Sequence, residues 1–342
     1  MLKRLVAALA SIPFAAVVQA RADAISDFYA GKTINMIIGN GAGGTYDLYA
    51  RAIARHLGRH IPGNPRVNIQ NMPGAASYIG ASHVFNVAPQ DGTVIGSISA
   101  ALPFQPLIDP NSPKLDVPRI QWLHSPSTFT VVTIVRSDVP VKSWEDLRGR
   151  ETIMATIAPG QLPSLIVAAA NDTLGLKIRG INGHPGLNDA MLALERREID
   201  GYPAVPVDAL KRLYADQMKA GKIRVLLQYG PAPSPDHPEA PYAVDLIKNP
   251  EDRMLLDLAQ APLKGGYLYM MGPGVPKARV EAMREAFSRV FKDKDFIADA
   301  ERQTLNVEPV EAARVESLMV EAYRSPPAVV ERMREIYRRT FR

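Results

Sequence analysis

The chain has 342 residues, with 40 Lys and Arg against 35 Asp and Glu, a formal net charge of +5, 46% hydrophobic residues and no cysteine. The missing thiol excludes disulfides, thiolate metal sites, a cysteine nucleophile and a lipid anchor built on cysteine. Basic residues are scattered among acids except in the Arg-rich last helix, which gives a nucleic-acid partner little support, and about 320 residues are enough to bury the cores of two domains without staples.

Lys3 and Arg4 precede an apolar run from Leu5 to Val18, and Ala20-Arg21-Ala22 offers small residues where a signal peptidase reads. Residues 1–22 therefore read as an export signal, cleaved near Ala20 to Ala22, and the run falls short of the roughly 18 apolar residues of a membrane span. Without Lys3, Arg4 and Arg21 the balance is 37 basic against 35 acidic residues. A freely diffusing periplasmic or secreted protein, not lipid-anchored, is expected.

Met36, Ile37 and Ile38 form a short apolar run of strand length, ended by the turn cluster Gly39-Asn40-Gly41-Ala42-Gly43-Gly44. A helix follows, with Tyr46, Tyr49, Ile53 and Leu57 on one face, Asp47, Arg51 and Arg55 on another, and Asp47 in the first turn, where the dipole favours a carboxylate. Gly39, Gly41 and Gly44 match G-x-G-x-x-G, but the dinucleotide fingerprint also needs an acid about 20 residues on. The next apolar segment, Arg66 to Ile69, ends instead in Gln70-Asn71. A small-anion loop is favoured over a nucleotide site and over a purely structural turn.

Val67 to Ile69 reads as a second strand, and Asn71-Met72-Pro73-Gly74-Ala75-Ala76-Ser77 as a second small-residue loop. Ile79, Val84 and Val87 mark a helix up to Pro89, and Asp91-Gly92 turns the chain into a third strand, Val94 to Ile98. Strands alternating with helices imply a parallel sheet whose ligands sit outside the carboxyl ends, where both loops and Ser97-Ile98-Ser99 converge.

Gly43-Gly44-Thr45-Tyr46-Asp47, Ala50-Arg51, Leu57-Gly58, Asn71-x-Pro73-Gly74-Ala75, Gly80-Ala81 and Ala88-Pro89-x-Asp91-Gly92-Thr93 occur in that order and spacing. They resemble the N-terminal signature of the Bug family, the extracytoplasmic substrate-binding proteins of tripartite tricarboxylate transporters. Gly39-Asn40-Gly41-Ala42 departs from the family's Phe-x-Pro-Gly. Further on, Pro140 to Leu147 resembles the family's short helix after the crossover, with Ser143 as its N-cap. Glu198-Ile199-Asp200-Gly201 resembles its G-x-V-D turn, with Glu195-Arg196-Arg197 in place of the preceding glycine. Gly221 to Leu227 resembles the strand returning to the first domain.

The resemblance implies an α/β protein of the type II periplasmic-binding-protein fold, two α/β domains around a ligand cleft. Domain 1 is expected over 23–128, domain 2 over 129–231, and the return of domain 1, with C-terminal helices packing on it, over 232–342, with Pro231 to Pro241 as hinge. Backbone N–H groups at Gly43, Gly44 and Thr45, and at Ala75, Ala76 and Ser77, would turn positive helix ends into the cleft, and Thr45, Ser77, Tyr78 and Ser99 would add hydroxyls. Thr45 and Ser77 serve equally well as N-caps, and Asp47 equally well as a dipole partner of Arg51. From the second domain, Thr156, Gly160, Gln161, Asn182 and His184 are the expected ligand residues.

No G-x-S-x-G elbow, H-E-x-x-H or Walker loop occurs, and of six histidines only His56 and His60 stand at i, i+4, without a sequence-adjacent acid. The expectation is a non-catalytic periplasmic receptor, without cofactor or metal and monomeric, that captures a small carboxylate and delivers it to membrane permease subunits. A periplasmic sensor subunit for a signalling partner is the alternative, and a secreted enzyme using the same cleft a weaker one.

Overall fold

The computed structural model describes residues 24–341 except 110, 114 and 185. The expected export signal over 1–22 lies outside the described residues. The strands are β1 (Thr33–Ile38), β2 (Arg66–Asn71), β3 (Val94–Ile98), β4 (Gln121–Trp122), β5 (Val131–Arg136), β6 (Thr152–Ala155), β7 (Ile178–Ile181), β8 (Gly201–Pro206), β9 (Ile223–Tyr229) and β10 (Leu268–Met271). The α-helices of seven or more residues are α1 (Thr45–Leu57), α2 (Leu162–Leu174), α3 (Leu187–Glu195), α4 (Val207–Leu213), α5 (Pro250–Gly265), α6 (Lys277–Val290), α7 (Lys294–Arg302), α8 (Ala312–Tyr323) and α9 (Pro327–Phe341).

Two five-stranded sheets organise these elements, in the orders β2-β1-β3-β10-β4 and β7-β6-β8-β5-β9. β1 pairs parallel with β2 and β3 as the alternation of strands and helices requires, and β10 joins β3 antiparallel. Position in the sheet explains composition. Central β3 is buried along its whole length and is an unbroken run, whereas edge strand β2 alternates between exposed and half-buried. Ile223 to Leu227, which the resemblance reads as a strand returning to the first domain although it falls inside the 129–231 bounds of the second, forms edge strand β9 of the second sheet, antiparallel to β5.

α1 buries Tyr49, Ala50, Ala52, Ile53 and Leu57 against the first sheet, and each large side chain among them contributes about 2 kcal/mol of hydrophobic stabilisation. Asn249 caps α5 by accepting the Glu251 N–H, with Pro250 in the first turn, where its missing donor costs nothing. Ser143 does not cap the short helix after the crossover. That helix begins at Asp146, whose Oδ2 accepts the N–H groups of Lys142 and Ser143 at 2.7 and 3.0 Å. The last helix joins both lobes: Arg332 on α9 pairs with Asp172 on α2 at 2.7 Å, and Arg334 Nε donates to the Leu107 carbonyl, on the segment that follows β3, at 2.9 Å. Among the described residues no helix is long and apolar enough to cross a membrane.

Candidate functional site

A cavity of about 380 Å³ opens between the two sheets. The Asn40 to Tyr46 segment and Ser99 line it from the first lobe; Ile157, Gln161 to Pro163, Gly186 to Asp189, Tyr202, Ala204 and Arg212 line it from the second, with Phe129 and Tyr267 beside them. The segments leaving the carboxyl ends of β1 and β3 therefore meet the amino ends of α2 and α3, as the sheet order leads one to expect.

The first glycine loop is shaped by Asp47. Its carboxylate accepts the Gly43 N–H at 2.9 Å, Arg51 Nε at 2.8 Å and Asn71 Nδ2 at 2.9 Å. Burial by itself would raise the Asp47 pKa, but the hydrogen bonds from Arg51, Gly43 and Asn71 outweigh it and hold the carboxyl below the ordinary aspartate range. Asp47 does not line the cavity, and the Gly43 N–H is already used. What the loop presents is the start of α1: Gly44 is its N-cap in extended conformation, no side chain caps it, and the first-turn N–H groups have no intrahelical partner. Gly43 itself sits at φ +80, a conformation that favours glycine.

The second small-residue loop does not line the cavity. Ala75, Ala76 and Ser77 lie consecutively in left-handed backbone, with φ of 45, 57 and 78, and neither Thr45 nor Ser77 acts as a side-chain cap. Ser77 Oγ accepts the Ser99 N–H at 3.1 Å, and a Cβ at Gly39 would stand 1.9 Å from that oxygen. The loop therefore braces the ends of β1 and β3 from behind. Tyr78 packs against the core.

Among the second-lobe candidates, Gln161 reaches the cavity. It is 8% exposed, it stands at the amino end of α2 without capping it, Ser99 Oγ donates to its Oε1 at 3.4 Å, and its Nε2 has no partner. Thr156 Oγ1 donates to Asn182 Oδ1 at 2.7 Å, and the His184 N–H bonds the Thr156 carbonyl, so these three form the base beneath the Ile157 to Gln161 loop. Gly160, at φ +77, makes the turn that presents Gln161. None of these four lines the cavity.

Arg212 escaped the sequence reading. It looks like a solvated charge next to Lys211, yet its Nε and Nη1 are buried without a partner and its Nη2 donates to Thr45 Oγ1, across the cleft, at 3.4 Å. Around it, burial raises the carboxyl of Asp208, one turn earlier on α4, and the hydroxyl of Tyr46, the latter to about 12. His56 and His60 turn out to have acids near in space: Asp299 on α7 at 3.2 Å and Asp293, the N-cap of α7, at 2.7 Å. Each pairs separately, and among the described residues no group of three or more His, Asp or Glu has metal-site geometry.

No protein-family model matches the chain, and no curated protein matches it. Solved structures do. A TctC solute-binding protein from Polaromonas, without ligand, superposes with a TM-score of 0.65 at 19% identity, over 91% of this chain and 99% of that one. MatC from Rhodopseudomonas palustris, with bound malate, gives 0.66 at 16% identity over 90% and 99%. A second R. palustris protein, with adipate, gives 0.66 at 16% over 88% and 97%. The periplasmic binding protein BugD gives 0.67 at 18% identity over 90% and 98%, and the chain has the two-lobed α/β fold of these TctC and Bug periplasmic binding proteins.

Proposed function

We propose that the chain is a non-catalytic, exported receptor of the Bug type, which captures a small carboxylate between its lobes and delivers it to the permease subunits of a tripartite tricarboxylate-type transporter. The observation that carries this reading is the meeting of the uncapped amino ends of α1 and α2 with buried donors that have no protein partner, Gln161 Nε2 and the Nε and Nη1 of Arg212. Unpaired buried donors cost free energy, and an anionic guest that accepts from them recovers it. The N-terminal run of Lys3, Arg4 and residues Leu5 to Val18 supports export. Structural neighbours with bound malate and with adipate support the carboxylate class.

The test is a thermal-shift screen of the chain, from residue 23 on, against mono-, di- and tricarboxylates, aromatic acids and amino acids, with each hit followed for turnover. A ligand at 100 times its Kd adds about 2.7 kcal/mol of apparent stability, a shift of several degrees. A shift with one carboxylate class and no product supports the receptor reading. Turnover of the hit, or no shift with any carboxylate, overturns it.

A further inference from the structure

Arg212 is the sole Lys, Arg or His among the described residues lining the cavity, and the acid that lines it, Asp189, is exposed in the first turn of α3. Two of the guanidinium's nitrogens are buried and unpartnered, and no carboxylate of the described residues bonds to it directly; Asp208, four residues earlier, feels its charge through space but accepts the Ala209 N–H. Arg212 is half-buried, and two buried N–H donors of a cation left without acceptors are costly, so its place on the cavity wall favours an anionic acceptor from outside the chain. Nη1 shares an edge of the planar group with Nη2, which already contacts Thr45 Oγ1. An acceptor on that edge is held from both lobes at once. The other walls are apolar or neutral, with Ile157, Leu162, Leu187 and Tyr202, and among the described residues they carry two buried donors without a partner, the Gln161 amide and the Tyr267 hydroxyl.

Resting on the receptor reading above, we infer that the cleft selects a monocarboxylate: one carboxylate clasped between Arg212 and the start of α1 at Thr45, with an uncharged body against the apolar wall and room for one neutral acceptor at Gln161. A second carboxylate on the ligand would lie among neutral groups with no cation to meet it. Arg212 thus sets both the charge of the ligand and the link between binding and lobe closure, because the anion bridges α4 of one lobe and α1 of the other.

The test uses matched acids on two scaffolds, hexanoate, 6-hydroxyhexanoate and adipate on one, benzoate, 4-hydroxybenzoate and terephthalate on the other, titrated into wild type, Arg212→Met and Arg212→Lys. The expected results are preference for the monoacids over the diacid of the same scaffold, at least a tenfold loss in Arg212→Met and partial retention in Arg212→Lys. The ligand-free Arg212→Met protein should melt no lower than wild type, because two buried donors without acceptors have been removed for the loss of one long bond to Thr45; a merely structural arginine would lower the melting temperature and leave affinity alone. Equal affinity in wild type and Arg212→Met, or preference for the diacids, overturns the inference while leaving the receptor reading intact. No binding of any of the six acids, together with no hit in the wider carboxylate screen, overturns both.

Discussion

The backbone N–H of Gly43 donates to Oδ2 of Asp47, four residues on, over 2.9 Å, and the same oxygen receives Arg51 Nε at 2.8 Å. This bond ties the glycine loop to the first turn of α1 and leaves the next N–H groups facing the cavity. Asp47→Ala removes an acceptor that three donors share. The expected loss of stability is about 2–3 kcal/mol, read by chemical denaturation, with weaker carboxylate binding following from the loosened loop. Asp47→Asn, which keeps one acceptor oxygen, should fall between the two. Unchanged stability in Asp47→Ala would show that the loop holds its shape without this carboxylate.

The left-handed turn at Ala75, Ala76 and Ser77 stores strain that glycine would not carry. Ala76, at φ 57 and ψ 41, is partly exposed and lies outside the cavity. Ala76→Gly should therefore stabilise the protein by about 1 kcal/mol and leave ligand affinity unchanged. A lower melting temperature would mean that the alanine methyl packs more usefully than its backbone is strained.

Much of the architecture is legible in the sequence because it rests on local chemistry. Met36 to Ile38 and Val94 to Ile98 are apolar runs suited to central strands, and the glycine cluster after Ile38 leaves few alternatives to a turn before a helix. The pairing of Ile223 to Tyr229 was not legible, since a strand's hydrophobic pattern does not name its neighbour and both sheets accept an antiparallel edge. At the site, spacing led to the start of α1 and to Gln161. It assigned Asp47 and the Ala75 to Ser77 loop to the ligand, whereas neither lines this cavity; the Asp47 carboxylate serves Gly43, Arg51 and Asn71, and the Ser77 hydroxyl serves Ser99. Arg212 was invisible because its role depends on which side chains fail to meet it, a property of tertiary packing alone.

Asp293 ties the start of α7 to the turn that follows α1, residues Gly58–His60. Its carboxylate receives His60 Nε2 at 2.7 Å, Arg59 Nε at 2.9 Å and the Asp295 N–H at 2.9 Å as N-cap of α7. Burial would raise its pKa, but the bonds from His60, Arg59 and Asp295 overcome this and hold it far below the ordinary aspartate value of 3.8. A depressed native pKa contributes stability that is complete above 3.8 and is lost as pH falls from there through the native value. Asp293→Asn should be less stable at neutral pH and show a flatter decline of unfolding free energy below 3.8 than wild type. Parallel declines in the two proteins would remove Asp293 from the acid response.

The central claim, that the uncapped start of α1 holds the ligand's carboxylate, is tested most directly by calorimetric titration of the strongest carboxylate from the screen into wild type and Gly44→Pro. Gly44 has φ −79, which proline adopts, and a Cβ there meets nothing closer than the Gly41 carbonyl at 3.8 Å, so the change deletes one N–H with little disturbance of the fold. A loss of at least tenfold in affinity, about 1.4 kcal/mol, with an unchanged melting temperature of the free protein is the predicted result. Equal affinity in the two proteins would contradict it and place the carboxylate elsewhere.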